Sequence, residues 1–234
     1  MQLMAAISPG KICDQLKPFK KNFMMKLSAA GYWSSVLSIF FAIAYSVAQL
    51  LSEAKLIPHP QDLYWLLAPS LLLAPSFLVA MICLYFKADE NKKLFTAIGV
   101  AFAILYCADV TLVYFSQLTV VIPAQLKNTI NEKHVLLFDR KTFLMAVDCL
   151  GYFFMSLSTL FAAFAFQKEN KWLYRGLLYN GLLLPVLILA FFYPVFYYVG
   201  ALWMITFPLA MVNAAKLFNN KAELSFKMKL SYEH

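Results

Sequence analysis

Charged residues divide this chain into long apolar stretches. None occurs from Leu27 to Ser52 or from Leu63 to Phe86. The run Leu94–Leu126 is interrupted only by Asp109 and the run Thr142–Gln167 only by Asp148, while Gly176–Ala215 carries no charge at all. About 20 apolar residues at ~1.5 Å per residue cross the hydrocarbon core of a bilayer once. The first four runs therefore predict one transmembrane helix each, and the fifth is long enough for two. Its natural break is Tyr193-Pro194, because proline lacks the helical N–H and drives the residue before it out of the α region.

The predicted fold is all-α, a polytopic transmembrane bundle of six helices. The spans are expected near 31–51, 64–86, 94–122, 143–166, 176–193 and 195–215, between a basic N-terminal segment (1–30) and a C-terminal tail (216–234). Five helices, with the last run forming one span and a re-entrant piece, is the alternative.

Composition agrees with the pattern. Of the 234 residues, 62% are hydrophobic and 14% charged, against roughly half and a quarter in soluble domains. That excludes a disordered chain, a disulfide scaffold and an ordinary soluble enzyme. The net charge of +8 does not indicate nucleic acid, because the Lys and Arg residues sit between and outside the apolar runs, where membrane proteins use them for orientation. With six spans, 15 of the 20 fall on the side of both termini, so the positive-inside rule puts both termini in the cytoplasm. The exception is the outer loop Pro123–Lys141, with Lys127, Lys133, Arg140 and Lys141. That loop also holds His134 and the apolar patch Val135 to Phe138, and its length argues for some order.

The N-terminal segment carries Lys11, Lys17, Lys20, Lys21 and Lys26 without the pattern of a removable signal. It reads as a topology signal. Its second reading is a surface helix drawn to anionic lipid headgroups, with Phe19, Phe23, Met24 and Met25 against the bilayer. Pro18 speaks against one long helix there. Cys13, Cys83, Cys107 and Cys149 form no CxxC pair, so neither a disulfide framework nor a metal site is expected.

Small residues recur at helical spacing. Ser34, Ser38, Ala42 and Ser46 form one row in the first span, and Gly99, Ala103 and Cys107 another in the third. Such rows let helices approach closely. They are expected to pack the bundle, with a homo-oligomer interface as the alternative. Pro69, Pro75, Pro185 and Pro208 fall inside proposed spans, and the pair in the second span makes it the one expected to be most irregular.

Asp109 and Asp148 are the sharpest chemical features. An aspartate at a helix centre costs about 2.5–3.5 kcal/mol on insertion scales and usually faces the bundle or water. By count along the helix, Asp109 lies near the midplane and Asp148 nearer the outer surface, at the depth of Gln117 on the third span. Gln117 keeps company with Thr111, Tyr114 and Ser116, and Asn180 and Thr206 offer polar contacts from the last two spans.

Enzyme chemistry lacks its parts. No HExxH, GxSxG or GxGxxG occurs, and His59, His134 and His234 lie outside the spans, so zinc hydrolysis, serine hydrolysis, dinucleotide binding and haem ligation find no residues. The sequence Val147-Asp148-Cys149-Leu150-Gly151 is not the GxGD of intramembrane aspartyl proteases. No cofactor is expected.

Two segments together, Tyr114-Phe115-Ser116-Gln117-Leu118-Thr119-Val120-Val121 and Leu150-Gly151-Tyr152-Phe153-Phe154-Met155-Ser156-Leu157-Ser158-Thr159-Leu160-Phe161, resemble uncharacterised multi-pass proteins of bacterial cytoplasmic membranes. The resemblance spans roughly residues 30 to 215. It implies a compact helical bundle in a prokaryotic membrane and no mechanism. The functional expectation is small-solute or ion transport through a pathway using Asp109, Asp148, Gln117 and Asn180. The alternative is a noncatalytic structural or interaction protein whose polar residues lock helices together; a lipid-modifying enzyme ranks third.

Overall fold

A computed structural model describes residues 9–127, 138, 142–193 and 195–219. The apolar patch and His134 of the outer loop, Pro194, and the tail beyond residue 219 lie outside these residues, apart from Phe138, which packs against the core. In chain order the helices are α1 (Pro9–Glu53), α2 (Gln61–Lys87), α3 (Lys93–Ser116), α4 (Ile122–Leu126), α5 (Phe143–Phe166), α6 (Lys171–Gly181), α7 (Leu184–Phe192), α8 (Val195–Gly200) and α9 (Trp203–Phe218). A 3-10 turn, Glu90–Lys92, leads into α3, and a π-helical turn, Gln117–Val121, joins α3 to α4.

Six helical stretches are long and apolar enough to cross a membrane: Asn22–Glu53, Gln61–Lys87, Glu90–Leu126, Phe143–Phe166, Lys171–Ala190 and Tyr198–Phe218. The protein is a transmembrane helix bundle.

Proline shapes the spans differently from expectation. The second span holds Pro69 and Pro75 inside one continuous helix. The interruption falls instead in the fifth span, where α6 stops at Gly181 and α7 restarts at Leu184 with Pro185 in its first turn. A proline in a first turn gives up an N–H that has no intrahelical partner anyway, so this is its least costly place. α2 is packed between α1 and α3, and tertiary contact holds its helix through two lost bonds. α1 likewise runs through Pro18, since one missing N–H weakens a helix without compelling it to end. Tyr193, before Pro194, is extended at φ −125 and ψ 107, as the residue before a proline prefers.

Each span packs against the one before it, and α9 packs against both α6 and α1. The six spans therefore close into a ring, with α3 and α5 its most extensive pair. Small residues set the approach. A Cβ at Gly99 of α3 would stand 2.9 Å from the Ser158 carbonyl oxygen of α5, and one at Gly181 of α6 would stand 2.6 Å from Leu160 Cβ. In α1, Ser34, Ser38 and Ala42 are buried within this chain, while Ser46 is half-buried. The serine hydroxyls return to carbonyls of their own helix, Ser38 to Ser34 at 2.8 Å and Ser46 to Ala42 at 2.8 Å.

Polar contacts fasten both ends. At one, Ser52 Oγ donates to Asp62 Oδ2 at 2.6 Å and His59 Nδ1 lies 3.2 Å from Asp62 Oδ1, joining the end of α1 to the start of α2. At the other, Lys92 Nζ donates to the Ala165 carbonyl at 3.2 Å and to Glu169 Oε1 at 3.1 Å, tying the α2–α3 turn to the end of α5.

Candidate functional site

The ring of helices encloses a carboxylate among aromatic side chains. Asp148, on the second turn of α5, is 7% exposed. Tyr114 of α3 stands near its carboxylate, and the Tyr114 hydroxyl donates to the Tyr152 hydroxyl at 3.2 Å. A phenol has one proton to give. Tyr114 gives that proton to Tyr152. Asp148 also acts electrostatically on Tyr45, Tyr106, Tyr114 and Tyr152, which come from α1, α3, α3 and α5.

Among the described residues, two polar atoms here have no partner. Asp148 Oδ1 and Tyr106 Oη are buried and unbonded. Buried polar groups in native proteins are nearly always paired, and a stranded one costs about 1–3 kcal/mol, more when charged.

The rings form a closed circuit of contacts. Tyr106 meets Phe77 at 5.7 Å between centroids, Phe77 meets Phe207 at 5.6 Å, and Phe207 stacks on Trp203 at 5.1 Å. Trp203 meets Tyr152 edge-on at 5.4 Å, and Tyr152 returns to Tyr106 at 6.0 Å. Tyr45 joins Trp203 from outside the circuit at 5.8 Å. Five of the six spans thus contribute a ring. Trp203 Nε1 is satisfied by Met155 Sδ at 3.1 Å.

Below the aromatics a polar row continues along α5. Asp148, Tyr152, Met155, Ser156 and Thr159 recur at intervals of three and four, which places them on one helical face. Thr159 Oγ1 accepts from Asn180 Nδ2 of α6 at 3.1 Å, and Asn180 Oδ1 accepts from Thr206 Oγ1 of α9 at 3.3 Å. Ser156 Oγ is another buried group without a partner among the described residues. From Asp148 to Thr159 the row covers about 16 Å at the helical rise, roughly half the hydrocarbon thickness.

The residues singled out by sequence separate into distinct places. Asp148 and Asn180 belong to the interior row, at its two ends. Gln117 is fully buried and opens the π-helical turn, a local irregularity frequent at functional sites. Asp109 is half-buried and lies on the α3–α5 seam, where its Cβ is 3.3 Å from the position a Cβ on Gly151 would take. Ala103 is buried with Gly99 on the same seam. Sequence reasoning overlooked Tyr45, Tyr106, Tyr152 and Trp203. The available signal was the spacing of Asp148, Tyr152 and Met155 on α5; the grouping of rings from different spans had none.

Among the described residues no three His, Cys, Asp or Glu side chains gather as a metal site. No protein family, curated protein or solved structure matches the chain. Its function is therefore argued from the site alone. Chemically the site offers an acceptor oxygen, a hydrogen-bonded pair of tyrosine hydroxyls, and ring faces of negative electrostatic potential.

Proposed function

We propose that this protein transports a small cationic solute or ion across a bacterial cytoplasmic membrane, with Asp148 as the group that binds it. The observation carrying this reading is the Oδ1 of a nearly fully buried Asp148, unbonded among the described residues, inside the ring of spans. An aspartate kept only to lock helices would be expected to have both oxygens bonded, since a half-satisfied polar group is worse than an apolar one. Intramembrane carboxylates commonly mark ion or substrate pathways. The basic-residue bias puts both termini in the cytoplasm and Asp148 in the outer half of the bilayer. From there the row through Ser156, Thr159 and Asn180 leads inward. Anionic lipid headgroups then lie beside the basic N-terminal segment.

A structural role is the second reading. It is favoured by the Tyr114–Tyr152 hydrogen bond between α3 and α5 and by ring contacts that join five spans. Flux of protons and of monovalent cations in proteoliposomes separates the two. Asp148→Asn keeps the shape of the side chain, so under the transport reading it folds and loses flux. Undiminished flux in a folded Asp148→Asn protein removes Asp148 from any transport mechanism, and a parent protein with no flux of any cation leaves the structural role.

A further inference from the structure

We infer that the cation this site takes is a small organic ammonium, held by the Asp148 carboxylate and by the faces of the surrounding rings. This rests on Asp148 being a ligand-binding group, as proposed above, and adds the chemical class of the ligand.

The donor set decides against a bare metal ion. Hard cations replace their hydration shell with several oxygens. The inward face of α5 beside Asp148 supplies one carboxylate and the Tyr152 hydroxyl, and the Tyr152 ring belongs to the circuit of Tyr106, Phe77, Phe207 and Trp203. A proton alone would need the carboxylate but no aromatic circuit. An ammonium bearing alkyl groups matches both halves of the site, because its charge is attracted to the carboxylate and its diffuse positive surface to ring faces within about 6 Å.

The circuit is built to exchange partners. In its edge-on pairs the positive rim of one ring meets the negative face of the next. An ammonium substitutes for those rims. The competing internal cations are elsewhere: among the described residues, Lys93 sits over Tyr85 and Arg175 over Trp172, neither in the circuit. No described lysine or arginine pairs with Asp148. Tyr106 Oη, buried and unbonded among the described residues, is a second acceptor for an N–H of a primary or secondary ammonium.

The test uses the full chain with Trp33, Trp65 and Trp172 replaced by phenylalanine. These are exposed, at 61%, 63% and 70%, and their removal leaves Trp203 as the only indole reporter. The probe is tetramethylammonium chloride, titrated in nanodiscs while Trp203 emission is recorded. We expect saturable binding that potassium chloride does not compete away. It should weaken at least ~10-fold in Asp148→Asn of unchanged melting temperature, the order of one lost ion pair. Tyr152→Phe keeps the ring and should retain binding, whereas Tyr152→Leu should lose it. Discs of phosphatidylglycerol and of phosphatidylethanolamine distinguish the ligand's source. A site for a free solute binds the probe in both, while a site for a lipid headgroup binds it only where the lipid has no amine of its own.

Probe binding that is absent in the parent, or equal in parent and Asp148→Asn, overturns the inference. If proton or potassium flux still depends on Asp148 in that case, the transport reading stands without the ammonium. If tetramethylammonium binds but no cation crosses proteoliposomes, the ligand site stands and the transport reading falls.

Discussion

Removing the Tyr114 hydroxyl should destabilise the bundle by an amount that depends on Tyr152. Tyr114→Phe deletes one oxygen and with it the bond that Tyr114 donates to the Tyr152 hydroxyl at 3.2 Å. A net hydrogen bond between neutral groups is worth about 0.5–1.5 kcal/mol, so the single substitution should cost about that much. Tyr152→Phe keeps the ring and removes the acceptor. In that background the bond is already gone, and Tyr114→Phe should cost close to nothing. The coupling energy of the cycle is then about 0.5–1.5 kcal/mol, within the range for residues in direct contact. Equilibrium unfolding of the four proteins in mixed micelles, followed by circular dichroism, measures it. Additive effects within about 0.3 kcal/mol would refute the reasoning, because two hydroxyls joined by one hydrogen bond cannot be energetically independent.

Three further outcomes follow from other parts of the fold. Gly99→Leu should destabilise by about 1–3 kcal/mol or more through overpacking, since its Cβ would stand 2.9 Å from a backbone oxygen, whereas Gly200→Ala meets nothing within 4 Å and should be silent in the same unfolding assay. Asp109→Asn, on the half-buried seam, should retain the cation flux that Asp148→Asn loses; equal loss in both would show that the two carboxylates act as one unit. Reporter fusions after Phe86, Gln167 and Phe218 should report cytoplasm and one after Lys127 the outside, and a cytoplasmic signal from Tyr193 would contradict six spans.

The number of spans was legible because charges are excluded from the hydrocarbon core wherever they sit on a helix. Depth was readable by counting residues. Azimuth was not. In a soluble helix the apolar stripe marks the buried face, but in a membrane the lipid-facing side is as apolar as the core. Asp109 shows the consequence. Its helical neighbours Leu105 and Leu112 are exposed at 44% and 56%, while Tyr106 and Val113 are fully buried, so the carboxylate falls on the boundary between lipid and core. Asp148 has Leu144, Gly151 and Met155 around it, all buried, and faces wholly inward. Both aspartates interrupt their runs alone, and nothing in hydropathy separates them. The aromatic circuit was further out of reach, since Phe77, Tyr106, Tyr152, Trp203 and Phe207 come from four spans and meet only when the ring closes. The prolines misled for a related reason. Pro69 and Pro75 signal a broken helix locally, and neighbouring helices on both sides of α2 decide otherwise.

Because each span packs on its predecessor and α9 closes the ring against α1 and α6, the order of synthesis is also the order of construction. Five spans can leave the insertion machinery and dock one after another with only local contacts. The interior that Asp148 faces is not sealed until Trp203 and Phe207 arrive on the last one. A nascent chain stalled before that point presents an aspartate to lipid, at about 2.5–3.5 kcal/mol on insertion scales, and the final insertion removes that cost in one step. The last span thus finishes the site as well as the ring: completed bundles hide Asp148, and unfinished ones leave it open to lipid.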